Sequence, residues 1–200
     1  MGLMTLRHRM VDAMPYYLRL PSTYEKLPYV TANGNQAIRT SYVPVQNDEF
    51  HARFKGASGT LLSAGAGTYQ LVIIGGFSGE GWYYRYFASS TVSANAEYTA
   101  STWYDLDIDT TGKMTTNGKT FTSAYQSALD GNATDMWICE RRNATQQYSG
   151  SIAEFWIKNN GKFKMYLIPC KRKSDNKVGM YDTINKTFYT SSRNDFVAGT

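Results

Sequence analysis

From residue 27 onward, hydrophobic and polar side chains alternate with a period of two, which is the pattern of half-buried β-strands. In residues 50–55, for example, His51, Arg53 and Lys55 alternate with apolar side chains and are predicted to face solvent. Turn-forming Gly and Asn residues separate about a dozen such short segments, which is typical of an all-β fold. The pattern therefore predicts an all-β sandwich or barrel.

The N-terminal segment follows a different pattern. Over residues 3–14, apolar side chains recur at helical spacing with charged side chains opposite, which predicts a short amphipathic helix. Two prolines then interrupt regular structure, so a linker is predicted to continue to residue 24. We therefore divide the chain into an N-terminal anchoring tail, residues 1–24, and a β-sandwich domain, residues 25–200.

The composition excludes several classes of protein. Aromatic residues make up 14% of the chain and charged residues 18%, whereas disordered chains are poor in aromatics and rich in charge. Coiled coils are dominated by Ala, Glu, Lys and Leu, which is not the case here. The formal net charge is +5, but Lys and Arg are scattered along the chain, and their densest clusters are short. Because a nucleic-acid backbone needs a longer basic stripe, we expect no nucleic-acid partner.

The two cysteines and the hydropathy of the chain are used to predict the cellular compartment. Cys139 and Cys170 form no C-x-x-C pair, so we expect two buried thiols rather than a zinc or redox site. The longest purely aliphatic run, residues 71–74, is too short to span a membrane. Arg7 and Arg9 interrupt the apolar stretch that a signal peptide would need. We therefore expect a soluble protein that is made in the cytoplasm and has no membrane partner.

Three segments carry a family resemblance, and two lie in the first two thirds of the chain. Residues 27–44 follow the motif L-x-Y-I-x-S-x-G-x-Q-Y-I-x-T-x-x-x-P, with Ala32 and Ala37 in place of its Ser and Tyr. Residues 103–121 are similar to the segment in which the same modules run through a strand, a turn and an N-G hairpin.

The third segment is the most specific. Within residues 163–190, the part from residue 167 to residue 189 is similar to F-I-P-C-x-R-x-S-D-G-x-x-G-L-Y-D-x-x-N-x-x-F-Y, with Asn176 and Met180 in place of Gly and Leu. Together the three segments resemble laminin-G-like, concanavalin A-like modules of phage, prophage and gut bacterial surface proteins.

This resemblance implies a two-sheet antiparallel jelly roll without catalysis or cofactor. Such modules occur in fibres, baseplates, head decorations and adhesins; many bind glycans, and fibre proteins of this kind are often trimers. The chain is therefore expected on a virion surface, after synthesis in the bacterial cytoplasm. Its N-terminal tail is expected to contact other virion proteins, and the protein is expected to be a homo-oligomer, with a trimer favoured.

The alternating aspartates raise two further possibilities. Paired carboxylates hydrolyse glycosides, but enzymes of the concanavalin A-like fold usually carry Glu-x-Asp-x-x-Glu rather than Asp105-x-Asp107-x-Asp109. The same carboxylates suit calcium, although alternate residues of one strand supply few converging oxygens. A solvated strand face, paired with Lys113 or Lys119 on the next strand, explains them without either function.

A glycan-binding site is predicted in the aromatic segment 82–87. Sugar rings stack on exposed aromatic side chains and form hydrogen bonds with polar ones. Arg85 is expected to avoid the core, so Tyr83 shares its outward face while Tyr84 and Tyr86 point inward. The sequence thus predicts a non-enzymatic virion surface protein that binds a host or environmental glycan through Tyr83 and Arg85. The alternatives are a purely structural decoration protein and a glycoside hydrolase.

Overall fold

Strands form nearly all of the regular structure in the computed structural model, and no α-helix occurs among the residues that it describes. Those residues are 18–65, 70–75, 82–88, 92–94, 99, 101–116, 118–122, 135–140 and 147–200; the side chains of 57, 70, 72–75, 82, 83 and 92–94 lie outside the description. The predicted helix 3–14 therefore lies outside the described residues. In the part of the chain that is described, no helix is long and apolar enough to cross a membrane.

The strands are numbered in chain order. They are β1 (Tyr24–Lys26), β2 (Val30–Asn33), β3 (Ile38–Arg39), β4 (Asp48–Ala64), β5 (Gln70–Gly75), β6 (Trp82–Ala88), β7 (Val92–Ala94), β8 (Tyr104–Ile108), β9 (Lys113–Thr116), β10 (Lys119–Thr122), β11 (Trp137–Ile138), β12 (Ser149–Asn159), β13 (Lys162–Arg172), β14 (Val178–Asp182), β15 (Thr187–Tyr189) and β16 (Val197–Ala198).

The strands form two antiparallel sheets that share β4. The first sheet has the order β10-β9-β8-β4-β12-β13-β14-β15, with β1 added to β13, β2 added to β12, and β16 added to β2. The second sheet has the order β3-β11-β4-β5-β6-β7. Every ladder between these strands is antiparallel. The predicted fold class, an antiparallel all-β sandwich, is confirmed.

Strand β4 passes from one sheet to the other because glycines let it bend. Its first part pairs with β8 and β12, and its last part pairs with β5 and β11. Gly59 lies at the junction with φ +96°, a conformation that side chains disfavour, and a Cβ there would collide with the carbonyl oxygen of Gln147. At Gly56, a Cβ would collide with the ring of Tyr148. The sequence pattern stops this strand near residue 55, whereas the structure continues it to Ala64.

The core lies between the sheets and takes the alternate residues that the sequence pattern predicts. It includes large side chains from both sheets: Phe50, Phe54, Leu62, Leu71, Tyr84, Tyr86, Leu106, Ile108, Ile138 and Phe155. Cys139 and Cys170 are buried free thiols, as expected. Burial raises the pKa of the Cys170 thiol to about 12, despite a backbone hydrogen bond at Tyr181 that lowers it.

The C-terminal run that carries the family resemblance forms two hairpins. Asp182 is buried and accepts hydrogen bonds from the backbone of Ile184 at 3.0 Å and from the side chain of Asn185. In the preceding turn, the guanidinium of Arg172 binds the carboxylate of Asp175, with 3.0 Å between Nε and Oδ1. Asn176, which replaces a family glycine, has φ +59°, a conformation that Asn tolerates. These motif residues thus shape turns.

The described end of the predicted tail contacts the sandwich. Strand β1 begins at Tyr24 and pairs with the end of β13, and Leu18 is buried against Tyr166 and Ile168 of that strand. Residues 18–24 therefore pack on the first sheet. The boundary at residue 24 and the anchoring role of the tail remain predictions.

Candidate functional site

The face of the first sheet that points away from the core, called the outer face, carries aromatic and charged side chains in neighbouring positions. Strand β4 contributes His51, Arg53 and Lys55, which lie opposite the buried side of the strand, as the sequence pattern predicts. In register, His51 pairs with Asp107 of β8 on one side and with Trp156 of β12 on the other. The strand order therefore places these three elements in one row across the sheet.

Two aspartates of β8 bind polar side chains of β4. Both carboxylate oxygens of Asp105 accept hydrogen bonds from Nη1 of Arg53, at 2.9 and 3.1 Å. Asp107 Oδ1 lies 2.8 Å from Nδ1 of His51. The side chains of Asp105 and Asp107 are 51% and 56% exposed, so they keep acceptor capacity toward solvent. The partners are thus side chains of β4, not the lysines that the sequence suggested.

Asp109 has a structural role at the turn between β8 and β9. Its Oδ1 accepts hydrogen bonds from the backbone and the hydroxyl of Thr111, at 2.8 and 2.6 Å, and from the backbone of Lys113 at 3.0 Å. Partial burial alone would raise the pKa of this carboxyl, but the hydrogen bonds from Thr111 and Lys113 lower it below the ordinary value. The three alternating aspartates therefore do not act as one group.

Trp156 is the centre of the first aromatic cluster. It is half-buried, and the ring of His51 stacks on it with centroids 5.1 Å apart and planes 12° apart. Phe163 meets it edge-on at 5.8 Å. The ammonium of Lys158 lies 4.6 Å from the ring centroid of Trp156 and 4.6 Å from that of Phe163. This cluster combines an aromatic surface with a cation at its border.

Trp103 is the centre of a second cluster of the same kind. It precedes β8, is half-buried, and meets the ring of Tyr29 edge-on at 5.4 Å. The ammonium of Lys55 lies 5.3 Å from the ring centroid of Trp103 and 5.8 Å from that of Tyr29. The guanidinium of Arg53 lies 6.0 Å from the Trp103 ring. Gly199 packs on the ring of Tyr29, and its backbone N–H donates to the carbonyl of Tyr29 at 2.9 Å. We call the part of the outer face formed by β8, β4 and β12 the exposed half.

The rest of the outer face, formed by β13, β14, β15 and β1, is called the covered half. Its aromatic rings pack on one another: Tyr24 lies 4.8 Å from Tyr181 and 5.0 Å from Phe188, between ring centroids. Leu18 covers the part of β13 next to Trp156. Arg172 lies over Phe188 at 5.0 Å, and its guanidinium is bound to Asp175. These aromatic residues stabilise the fold.

The predicted glycan-binding pair lies on the other sheet. Tyr83 belongs to β6 and pairs with Ile74 of β5 in the backbone register, but its side chain lies outside the described residues. Arg85 is half-buried and has an interaction partner. Tyr84 and Tyr86 are buried, as predicted. Tyr83 and Arg85 therefore remain a prediction.

The sequence analysis missed Trp103 and Trp156 as a pair. The signal in the sequence was the alternation of side chains along each strand. It places Trp103 on one strand face with Asp105 and Asp107, and His51 on one face with Arg53. The sequence did not indicate that β4 lies between β8 and β12. This strand order places the outward side chains of the three strands on one sheet face. Among the described residues, no group of three His, Cys, Asp or Glu side chains could hold a metal ion.

Comparison with known proteins supports the fold. No protein-family model and no curated protein matches the chain. Solved structures do match, and one of them is a proposed carbohydrate-binding protein from Bacteroides ovatus ATCC 8483. The two share 12% sequence identity with a TM-score of 0.59, over 88% of this chain and 61% of that chain. The chain thus spans about three fifths of its neighbour's length. The similarity shows a common sandwich fold.

Proposed function

We propose that the chain is a non-enzymatic glycan-binding module and that the exposed half of the outer face is its binding surface. The observation that carries this proposal is the placement of two half-buried tryptophans, Trp103 and Trp156, on one sheet face. The pairs of Arg53 with Asp105 and of His51 with Asp107 lie between them. The exposed parts of these rings suit the C–H groups of sugar rings, and exposed donors and acceptors beside them suit sugar hydroxyls.

The fold neighbour supports the same class of ligand. It is described as a proposed carbohydrate-binding protein, and it shares the sandwich fold at 12% identity. This similarity is a reason to test sugars first. The residues of the exposed half supply the argument for the location of the site.

A binding role is favoured over hydrolysis by the state of the two aspartates. Glycoside hydrolysis needs one carboxylic acid that donates a proton and one carboxylate that acts as base or nucleophile. Asp105 and Asp107 both accept hydrogen bonds from cationic or imidazole groups of β4. Because both carboxylates are already bound by β4 side chains, we assign both to ligand contacts and to surface structure.

The biological setting is proposed from the resemblance of residues 27–44, 103–121 and 163–190 to phage and prophage surface modules. In that setting the chain is a virion surface protein, a trimer is favoured, and residues 1–24 contact other virion proteins. Electron microscopy of assembled particles with gold-labelled protein tests this setting. Label confined to material without virions would contradict it.

The site is tested with Trp103→Ala and Trp156→Ala in a glycan array followed by calorimetry. We expect each variant to weaken binding about twofold to tenfold, since aromatic contacts are worth about 0.5–1.5 kcal/mol beyond their buried area. Tyr83→Ala and Arg85→Ala are the comparison variants, because they form the alternative site on β6. If only this second pair weakens binding, the site lies on the second sheet. A blank array from protein with an intact β spectrum would favour the purely structural role.

A further inference from the structure

The charged side chains of the exposed half alternate in sign across its three strands. In the register, Arg53 lies between Asp105 and Glu154, and Lys158 is opposite Glu49. Four outward carboxylates and three outward cations give a formal charge of −1 while His51 is neutral. These seven residues are Glu49, Asp105, Asp107, Glu154, Arg53, Lys55 and Lys158. Opposite charges are therefore neighbours, and the surface has almost no net charge.

Alternating charges suit the hydroxyl groups of a sugar better than they suit an ion. A hydroxyl donates one hydrogen bond and accepts others, so it can meet a cation and a carboxylate at once. Asp105 and Asp107 are more than half exposed and offer acceptors, while Arg53 holds Asp105 through Nη1 and has further N–H groups on its guanidinium. An acidic polymer would instead meet four carboxylates, and a basic polymer three cations, with repulsion in each case.

The two tryptophans of the exposed half are too far apart for one sugar. Trp156 is opposite His51, whereas Trp103 is beside Lys55, four residues further along β4. With a rise of about 3.3 Å per residue and about 4.8 Å between strands, the Cα atoms of the two tryptophans lie roughly 16 Å apart. Because β4 lies between their strands, the straight line that joins them crosses β4 halfway, at Arg53.

From this arrangement we propose that the ligand is an uncharged linear polysaccharide, one chain of which contacts Trp103, Arg53 and Trp156 in that order. This inference rests on the proposed glycan-binding function and adds the class, the length and the path of the ligand. A single sugar reaches one tryptophan, whereas a chain reaches both and places the hydroxyls of its middle sugars over Arg53 and Asp105. Once one end is bound, the contact at the other end is intramolecular, which raises the affinity.

The length of the ligand is tested by calorimetry with cello-, xylo-, manno- and malto-oligosaccharides of one to six sugars. In the series that binds, we expect the hexasaccharide to bind about fivefold to tenfold more tightly than the disaccharide, with one hexasaccharide per protein. In Trp103→Ala and in Trp156→Ala, this advantage is expected to fall below about twofold, because only one tryptophan contact remains.

The path of the chain is tested with Arg53→Met, which keeps an unbranched side chain and removes the guanidinium. We expect this variant to bind the hexasaccharide about threefold to tenfold more weakly, because hydrogen bonds to a charged group are lost. Arg39→Met is the matched control: Arg39 binds Asp135 at 2.8 Å and lies 5.7 Å from the ring centroid of Trp137, but it belongs to β3 in the second sheet. Its loss should change the affinity by less than about twofold.

The uncharged class of the ligand is tested by the salt dependence of binding. Salt screens the attraction between exposed charges, so an uncharged chain should bind with an affinity that changes less than about twofold between about 0.05 and 0.5 M NaCl. Carboxymethylcellulose and hydroxyethylcellulose are the matched polymers, since they share a backbone and differ in charge. We expect the acidic polymer to bind no more tightly than the uncharged one.

Several results would overturn the inference. If the disaccharide binds as tightly as the hexasaccharide, or if two hexasaccharides bind per protein, one chain does not span the two tryptophans. If Arg39→Met weakens binding as much as Arg53→Met, the chain does not pass over Arg53. If salt abolishes binding, or if only charged sugars bind and binding still needs Trp103 and Trp156, the ligand class is wrong while the proposed function stands. By contrast, a complete lack of sugar binding would contradict the proposed function itself.

Discussion

The two halves of the outer face contain the same kinds of side chain in different surroundings. In the covered half, Tyr24, Tyr181 and Phe188 pack on one another, and the cation above them, Arg172, is bound to Asp175. In the exposed half, Trp103 and Trp156 are half-buried, and the lysines above them have no carboxylate partner among the described residues. The two halves therefore differ in how far their rings are buried and in whether a carboxylate binds the cation above each ring.

The largest expected difference between the halves is in stability. Tyr181→Ala removes a ring that is 5% exposed, and we expect it to lower the free energy of unfolding by about 3 kcal/mol. Trp103→Ala removes a half-buried ring at the surface and is expected to cost about 1 kcal/mol. Urea unfolding followed by tryptophan fluorescence for Tyr181→Ala, and by circular dichroism for both, measures this. Equal losses would mean that the halves do not differ in their contribution to the fold.

The packing of Leu18 on β13 provides a second, smaller difference in stability. Leu18 is 5% exposed, so Leu18→Ala is expected to lower the free energy of unfolding by about 2 kcal/mol. Val197 is an aliphatic residue on β16 of the same sheet and is 55% exposed, so Val197→Ala is the matched control with an expected change below about 0.5 kcal/mol. An unchanged midpoint of urea unfolding for Leu18→Ala would show that the packing of Leu18 on β13 does not stabilise the fold.

A third prediction concerns the ion pair between the two tryptophans. Because Arg53 and Asp105 are 45% and 51% exposed, a double-mutant cycle with Arg53→Met and Asp105→Asn should give a coupling energy of about 0.5 kcal/mol in unfolding. We expect the same single variants to weaken glycan binding, since both side chains belong to the proposed binding surface. A coupling energy above about 2 kcal/mol would instead assign the pair to the stability of the sheet.

The smallest effect is a pH dependence in the covered half. The hydrogen bond from Arg172 lowers the pKa of Asp175 to about 2, against a slight opposing effect of burial. Because this pKa is depressed in the folded state, the stabilisation by the pair is present above about pH 4 and is lost as the pH falls toward 2. Carbon-detected NMR titration should show the midpoint of Asp175 moving up toward about 4 in Arg172→Met. An unmoved midpoint would contradict the assigned cause.

Local patterns in the sequence were sufficient to predict most strands. The alternation in residues 103–109 gives β8 with its exposed aspartates, and the turn signals after it give the β9–β10 hairpin. The sequence pattern did not predict the full length of β4, because there the backbone packs closely against another segment. The glycines at 56 and 59 are typical of a turn, but here they let β4 continue past Gln147 and Tyr148.

The candidate site could be predicted only in part, because its contacts join distant segments. The outward orientation of His51 followed from alternation, but its partner Asp107 lies 56 residues away and Trp156 lies on a third strand. Strand order depends on the total packing of the sheets, which no local pattern contains. The local pattern alone therefore predicts the glycan-binding site in the aromatic segment 82–87, because this segment is as rich in aromatic residues as the exposed half.

The sharing of β4 by both sheets also has a kinetic consequence. Neither sheet can complete its hydrogen-bonded ladders until this strand is in place, and its partners β8 and β12 lie far along the chain. Each such pairing requires a long loop to close before any contact energy is gained. Domains dominated by distant pairings fold in milliseconds to seconds, so the backbone amides of β4 should be among the last to gain protection from hydrogen exchange during refolding. The strand that presents His51, Arg53 and Lys55 is thus also the one whose formation makes the two sheets a single cooperative unit.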